Sequence, residues 1–290
     1  MNSAPDLASA FSLMGVYLFW EEGNCEGACQ YYDQALSQYL QSENPDWFRQ
    51  YLNTADFPRP LIESYLYSLM QCGYYDICRD VIKDNLEPPE SIFWQIELYR
   101  SAGDLDAALE LAEEGSAAYP ELSTMRAKYA EQLLVVGRPN DAEIEIQKAI
   151  ELLPKYFPVD PWYDALLIVN QLRSGQEDQV NQRLEKIKPN DLVLTLVHII
   201  HTLMMIEEWD SVIQYSNLVI SADPENISAL HSLARAYAEV DKYPEAITYY
   251  GKLLNLQPMN GIAQLELCLV YGKVGEMEKA RSQISDALEG

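Results

Sequence analysis

Histidine is scarce in this chain. His198, His201 and His231 are the three among 290 residues, so general acid–base chemistry of the commonest kind has little material to work with. Cysteine is scarce too. The five, at positions 25, 29, 72, 78 and 268, are odd in number and form no C-x-x-C pair, which argues against a disulfide framework or a zinc site and for reduced thiols. Basic residues number 20 against 45 acidic ones, a net charge of −25. The imbalance is steepest early: residues 1–122 hold 21 acidic and 5 basic groups, residues 123–290 hold 24 and 15. No basic cluster offers the face that nucleic acid or an anionic membrane needs, so neither is expected as a partner. Such acidity suits solubility and a basic partner. No apolar run reaches the length of a membrane-spanning helix. The opening MNSAPDLASA lacks the basic start of a signal peptide, and a cytoplasmic location is expected. There is no glycine-rich phosphate loop, no H-E-x-x-H and no G-x-S-x-G. The chain is therefore read as non-enzymatic, with no catalytic residue, cofactor or metal expected.

What the chain does have is a period. Prolines fall at 120, 154, 189, 224 and 258. Small residues keep step at Ala108, Ala142, Val180, Val212, Ala246 and Ala280, and glycines precede several of them, at 103, 137, 175 and 275. A repeat of about 34 residues marks a stacked-helix array. In residues 227–260, Leu230, Leu233, Ala234 and Tyr237 lie at i, i+3, i+4 and i+7, one stripe of a helix. Ala246, Tyr250 and Leu253 form a second stripe, Asp241 and Lys242 lie between the two, and Pro258 ends the second helix.

This unit resembles the tetratricopeptide repeat, whose pattern of large residue, Leu, small, Tyr, then Ala, Phe-like and Pro is met at Leu230, Leu233, Ala234, Tyr237, Ala246, Tyr250 and Pro258. The opening Trp of the pattern is replaced. The same register runs through residues 89–122, 123–156, 161–192, 193–226 and 261–290, and more weakly through 9–40 and 59–88. About eight units in phase predict an all-α, right-handed superhelical solenoid. Its expected parts are an N-terminal hairpin with an irregular insert (1–58), repeats over 59–160, and a continuous array over 161–290. Residues 41–58 and 157–160 are the interruptions, the first with a short helix around Trp47, Phe48, Tyr51 and Leu52.

The resemblance implies that the first helix of each pair lines a concave groove through its repeat positions 2, 5, 9, 12 and 13. That register gives a candidate peptide-binding set of Trp162, Val169, Leu172, Arg173, Val197, His201, Met204, Met205, His231, Arg235, Leu265 and Leu269. The expected floor is apolar and Met-containing, suited to a peptide or amphipathic helix. His198 falls off the groove register, which weakens the two neighbouring histidines as a metal pair. The clamp that some family members use on chaperone tails finds Val197, His201, Ser232, Ile262 and Glu266 at its places, a poor match. The expected function is a protein-interaction scaffold or assembly adaptor. The alternative is a self-associating subunit of a larger complex, because Ile284, Ala287 and Leu288 leave the C-terminal end uncapped by a polar helix.

Overall fold

A computed structural model describes residues 14, 15, 18, 24–40, 61–71, 73–153, 161–258 and 260–280. The expected insert at 41–58, the interruption at 157–160 and the C-terminal Ile284, Ala287 and Leu288 lie outside them. Among the described residues there is no strand. The chain is an all-α solenoid, and its helices are α1 (Cys25–Leu40), α2 (Leu61–Gln71), α3 (Tyr75–Asn85), α4 (Glu90–Ser101), α5 (Leu105–Ala118), α6 (Ser123–Val135), α7 (Pro139–Glu151), α8 (Pro161–Arg173), α9 (Glu177–Leu184), α10 (Pro189–Met205), α11 (Trp209–Ala222), α12 (Ile227–Glu239), α13 (Tyr243–Leu256) and α14 (Gly261–Lys273).

Side chains in the connecting turns start several of these helices. Asp104, Asn226 and Asn260 each accept from the backbone N–H three residues on, at 3.1, 3.1 and 3.0 Å, which satisfies a donor the helix itself cannot. Asn226 opens an Asn-Ile-Ser triplet, and its place here is the N-cap of α12. The turn inside each pair needs one left-handed residue. Gly73, Gly103, Gly137, Gly175 and Gly275 supply it with φ of 68 to 82°, and Glu207 (59°) and Asp241 (60°) supply it where glycine is missing. The period of the glycines thus continues through two residues that adopt the same conformation with a side chain attached.

Apart from α9 and α10, each helix packs on the next, and first helices also meet across units: α2 on α4, α6 on α8, α10 on α12, α12 on α14. The small periodic residues are where helices close up. Ala108, Ala142, Val212 and Ala246 are fully enclosed. Cys78 occupies the equivalent place in its unit, and Cys268 follows Ala234 by 34 residues on the first helix α14; both are buried free thiols, and burial pushes the Cys78 thiol up to about 12. The largest core runs from Ala127 on α6 to Ala236 on α12. A second holds α1 to α4, with Tyr32, Leu66, Ile82 and Trp94. A third joins α12, α13 and α14 around Leu230, Tyr250 and Leu267.

One unit departs from the register. Its second helix, α9, has 8 residues where α7 has 13 and α11 has 14. Val180 is its one fully buried side chain. Pro189 does not close this helix but opens α10, at a first-turn position that needs no N–H. Helix α10 therefore starts four residues ahead of the 193 register and runs for 17. It packs directly along α8 and reaches past it to touch α6.

The left-handed turns give a stability test. Glu207→Gly removes the Cβ penalty at φ 59° from an exposed site and should gain about 1 kcal/mol, whereas Gly137→Ala, at φ 79°, should lose about as much. Urea midpoints at constant slope read both; a loss on Glu207→Gly would contradict the assignment.

Candidate functional site

The candidate site is the concave face formed by the first helices, and it falls into a closed half and an open half. The closed half lies between α4, α6, α8 and α10. Two pairs at helical spacing face each other there, Glu97 with Arg100 on α4 and Lys128 with Glu131 on α6. Arg100 donates to Glu97 Oε2 through Nε at 2.9 Å and Nη2 at 2.5 Å. Lys128 Nζ donates to Glu131 Oε2 at 2.6 Å and also to Glu97 Oε1, joining the two helices. The Lys128, Glu97 and Glu131 side chains are 3–4% exposed. The ammonium lies 4.5 Å from the Phe93 ring centroid and 5.1 Å from that of Trp162, a distance at which a desolvated cation gains from the ring face. Trp162 Nε1 donates to Glu131 Oε1 at 3.3 Å. Carboxylates and rings thus surround one lysine.

The charges hold one another ionised. Burial alone would raise Glu97, but the Arg100 and Lys128 charges and the Lys128 hydrogen bond hold its carboxyl well below the carboxylate range. Burial would likewise lower Lys128, and Glu131 and Glu97 reverse it, so its ammonium is held above its ordinary value. His201 approaches from α10. Water reaches its ring, yet protein surrounds it, and that desolvation, with the Arg100 charge adding to it, holds the imidazole below its ordinary 6.5.

The open half lies on α10, α12 and α14. His231 Nε2 and Glu266 Oε2 are 2.6 Å apart, linking α12 to α14, and Tyr250 O–H donates to the same oxygen at 3.1 Å. Burial would raise the Glu266 carboxyl; the His231 hydrogen bond and charge, with Arg235 and Tyr250, hold it below the usual range. Arg235 is exposed, its guanidinium 6.0 Å from the Trp209 ring centroid. Leu265 and Leu269, one turn apart on α14, are 59% and 60% exposed. They are the most exposed leucines among the described residues, and neighbouring apolar surface of this kind gains by being covered.

The residues expected to line the groove stand in different surroundings. Val169 is fully buried in the core and offers no surface. Leu172 and Met204 are half-buried against that core. Arg173 donates to the Leu134 carbonyl at 2.5 Å, capping the C-terminal turn of α6. Trp162 covers the lysine. Val197 and Met205 are half-buried on α10, beside the exposed His201. His198 is half-buried. Among the described residues no group of three His, Cys, Asp or Glu could hold a metal, and no helix is long and apolar enough to cross a membrane. Position 9 of the groove register in residues 123–156 is Glu131, but the register alone does not show its partners. The available signal was the 34-residue interval from Glu97 to Glu131, with Arg100 three residues after one and Lys128 three before the other.

Residues 229–258 match the model of the tetratricopeptide repeat, and the same helix pair recurs along the described chain. The chain carries a tetratricopeptide repeat. Its relatives include BBSome complex member BBS4 of Bos taurus, 23% identical over 192 residues that make up 64% of this chain and 36% of the relative. Another is the DnaJ protein P58IPK homolog B of Oryza sativa subsp. japonica, 28% identical over 204 residues, 66% of this chain and 41% of the relative. The chain thus spans about two fifths of the length of these curated relatives. Among solved structures it is similar to MamA (18% identity, TM-score 0.35, 67% of this chain and 92% of that one). It is also similar to an IFIT1 monomeric mutant solved with m7Gppp-AAAA (14% identity, TM-score 0.45, 98% and 73%). Tetratricopeptide solenoids are generally protein-interaction scaffolds.

The closed half makes two predictions. Lys128→Met leaves two buried carboxylates without their shared cation and should cost about 3–5 kcal/mol, most of it recovered by adding Glu131→Leu; equilibrium urea unfolding measures both, and a near-neutral single variant would sink the role given to Lys128. Because His201 has its folded value lowered, the unfolded chain takes up that proton first, so stability is present above pH 6.5 and is lost as pH falls toward the folded value. His201→Gln should flatten that part of the stability–pH curve, and an unchanged slope would contradict it.

Proposed function

We propose that this chain is an adaptor that takes an apolar segment or amphipathic helix of a partner protein on the open half of the concave face, across α10, α12 and α14. One observation carries the reading: Leu265 and Leu269 stand 59% and 60% exposed at consecutive turns of α14, in the register the repeat turns toward its groove. Side chains at i and i+4 of one helix make a ready anchor for alternate apolar residues of a bound segment. Val197, Met204 and Met205 on α10 extend the surface, half-buried and adaptable in the methionines' case. The His231–Glu266–Tyr250 cluster holds α12 to α14 beside them, which pre-organises the face and lowers the entropy lost on binding. Binding is the activity proposed.

Affinity capture from the native cell with the full chain tests this. Proteins retained by wild type should be lost, by roughly tenfold or more, from a variant carrying Leu265→Asp and Leu269→Asp that keeps its helical circular dichroism. Undiminished capture by that folded variant would show that the partner binds elsewhere.

A further inference from the structure

We infer that the crevice between α8 and α9 is a second binding site, and that it takes an amide group of a partner protein segment. It shares no residue with the groove proposed above, so either site can fail without the other.

The crevice begins in the sequence. In the next two units, positions 4, 11 and 23 of the repeat are Leu196, Leu203 and Tyr215, then Leu230, Tyr237 and Tyr249. Leu196, Leu203, Tyr215 and Leu230 are buried there. The unit of α8 and α9 has Asp164, Gln171 and Arg183 at the same three places. Polar side chains do not close on one another as apolar ones do, and the short α9 packs chiefly on α8. A cavity of about 570 Å³ remains, with Asp164 and Gln171 on one side and Gln179, Arg183 and Lys186 on the other. A space of that size is in the range that holds small ligands.

The walls carry a matched donor and acceptor. Arg183 donates through Nη1 to Asp164 Oδ1 at 3.0 Å, and its Nε is buried with no partner among the described residues. Gln171 donates through Nε2 to Gln179 Oε1 at 3.3 Å, and its own Oε1 is buried in the same condition. Gln179 and Arg183 are one turn apart on α9, about 5 Å along its axis. A buried polar atom left unmatched is costly, and a hydrogen bond removes that cost. An amide supplies both partners: its carbonyl oxygen accepts from Arg183 Nε, and its N–H donates to Gln171 Oε1. A carboxylate would set an oxygen against the Gln171 acceptor, and an ammonium would set a cation against the guanidinium. The charges around the crevice are of both signs. Asp164 faces Arg183 and Lys186, and Glu177, Asp178 and Glu185 are exposed on α9 and just beyond it. A neutral group suits such walls. Two sources offer this chemistry, the main chain of a bound segment or the side chain of its Asn or Gln.

Titration of the full 15N-labelled chain tests the site, with capped tripeptides that place Gln, Ala or Glu between two alanines. The Arg183 Nε–H resonance, assigned by its loss in Arg183→Lys, should shift and saturate with the Gln peptide. Affinity should fall roughly tenfold on Gln171→Leu, a change to the residue type that the next unit carries at that place. A response to the Gln peptide alone supports the inference with the side chain as source. An equal response to the Ala peptide supports it with the main chain as source. A stronger response to the Glu peptide than to the other two would overturn it. So would undiminished affinity in a folded Gln171→Leu variant, or no saturable shift with any peptide, the behaviour of a crevice that holds water alone.

Discussion

Helix α9, with 8 residues where the second helices around it have 13 or 14, sets the form of the concave face. A second helix normally separates one first helix from the next and spreads the units. With α9 cut short, α10 lies along α8 and reaches α6, and the first helices of three units crowd around one point. That crowding buries Val169 and Ala165, which a more open array would leave lining the groove. It also brings His201 to the charges of α4 and α6. Beyond α10 the second helices regain full length and the face opens.

At the crowded point the protein encloses a lysine instead of an apolar side chain. Burying an ion pair is seldom the most stable solution, because each charge gives up its hydration. Lys128 is compensated by two carboxylates and two aromatic rings, and the carboxylates in turn by Arg100 and by the Trp162 indole. The arrangement ties α4, α6 and α8 together at the seam between the N-terminal core and the central core. A polar link of this kind is satisfied in one register and unsatisfied in its neighbours, so it restrains how successive units slide against each other. In a solenoid, where stability is a sum of near-neighbour contacts, that restraint is felt locally and leaves the C-terminal units free to present a different surface.

The open half works on the opposite terms. Its polar cluster, His231, Glu266 and Tyr250, is partly exposed and links α12 to α14, while leucines beside it face water. Rigid closure and accessible apolar surface thus occupy different parts of one array, divided by the length of a single helix.

Much of this was legible from residue order. The 34-residue period, the helical stripes and the turn glycines determined the repeat, because each unit must bury one face on a neighbour and each turn needs a left-handed residue; Glu207 and Asp241 keep the period without the glycine that announced it. The first-helix register also placed Arg235, Leu265 and Leu269 on one surface. The fate of Val169, Leu172 and Arg173 was not legible, nor was the approach of His201 to the charges of α4 and α6. Residue order determined the repeat and the side chains expected on the first-helix face. Only the tertiary structure decided which of them water can still reach, because that depends on how closely helices from different units approach, and here a short helix lets them close.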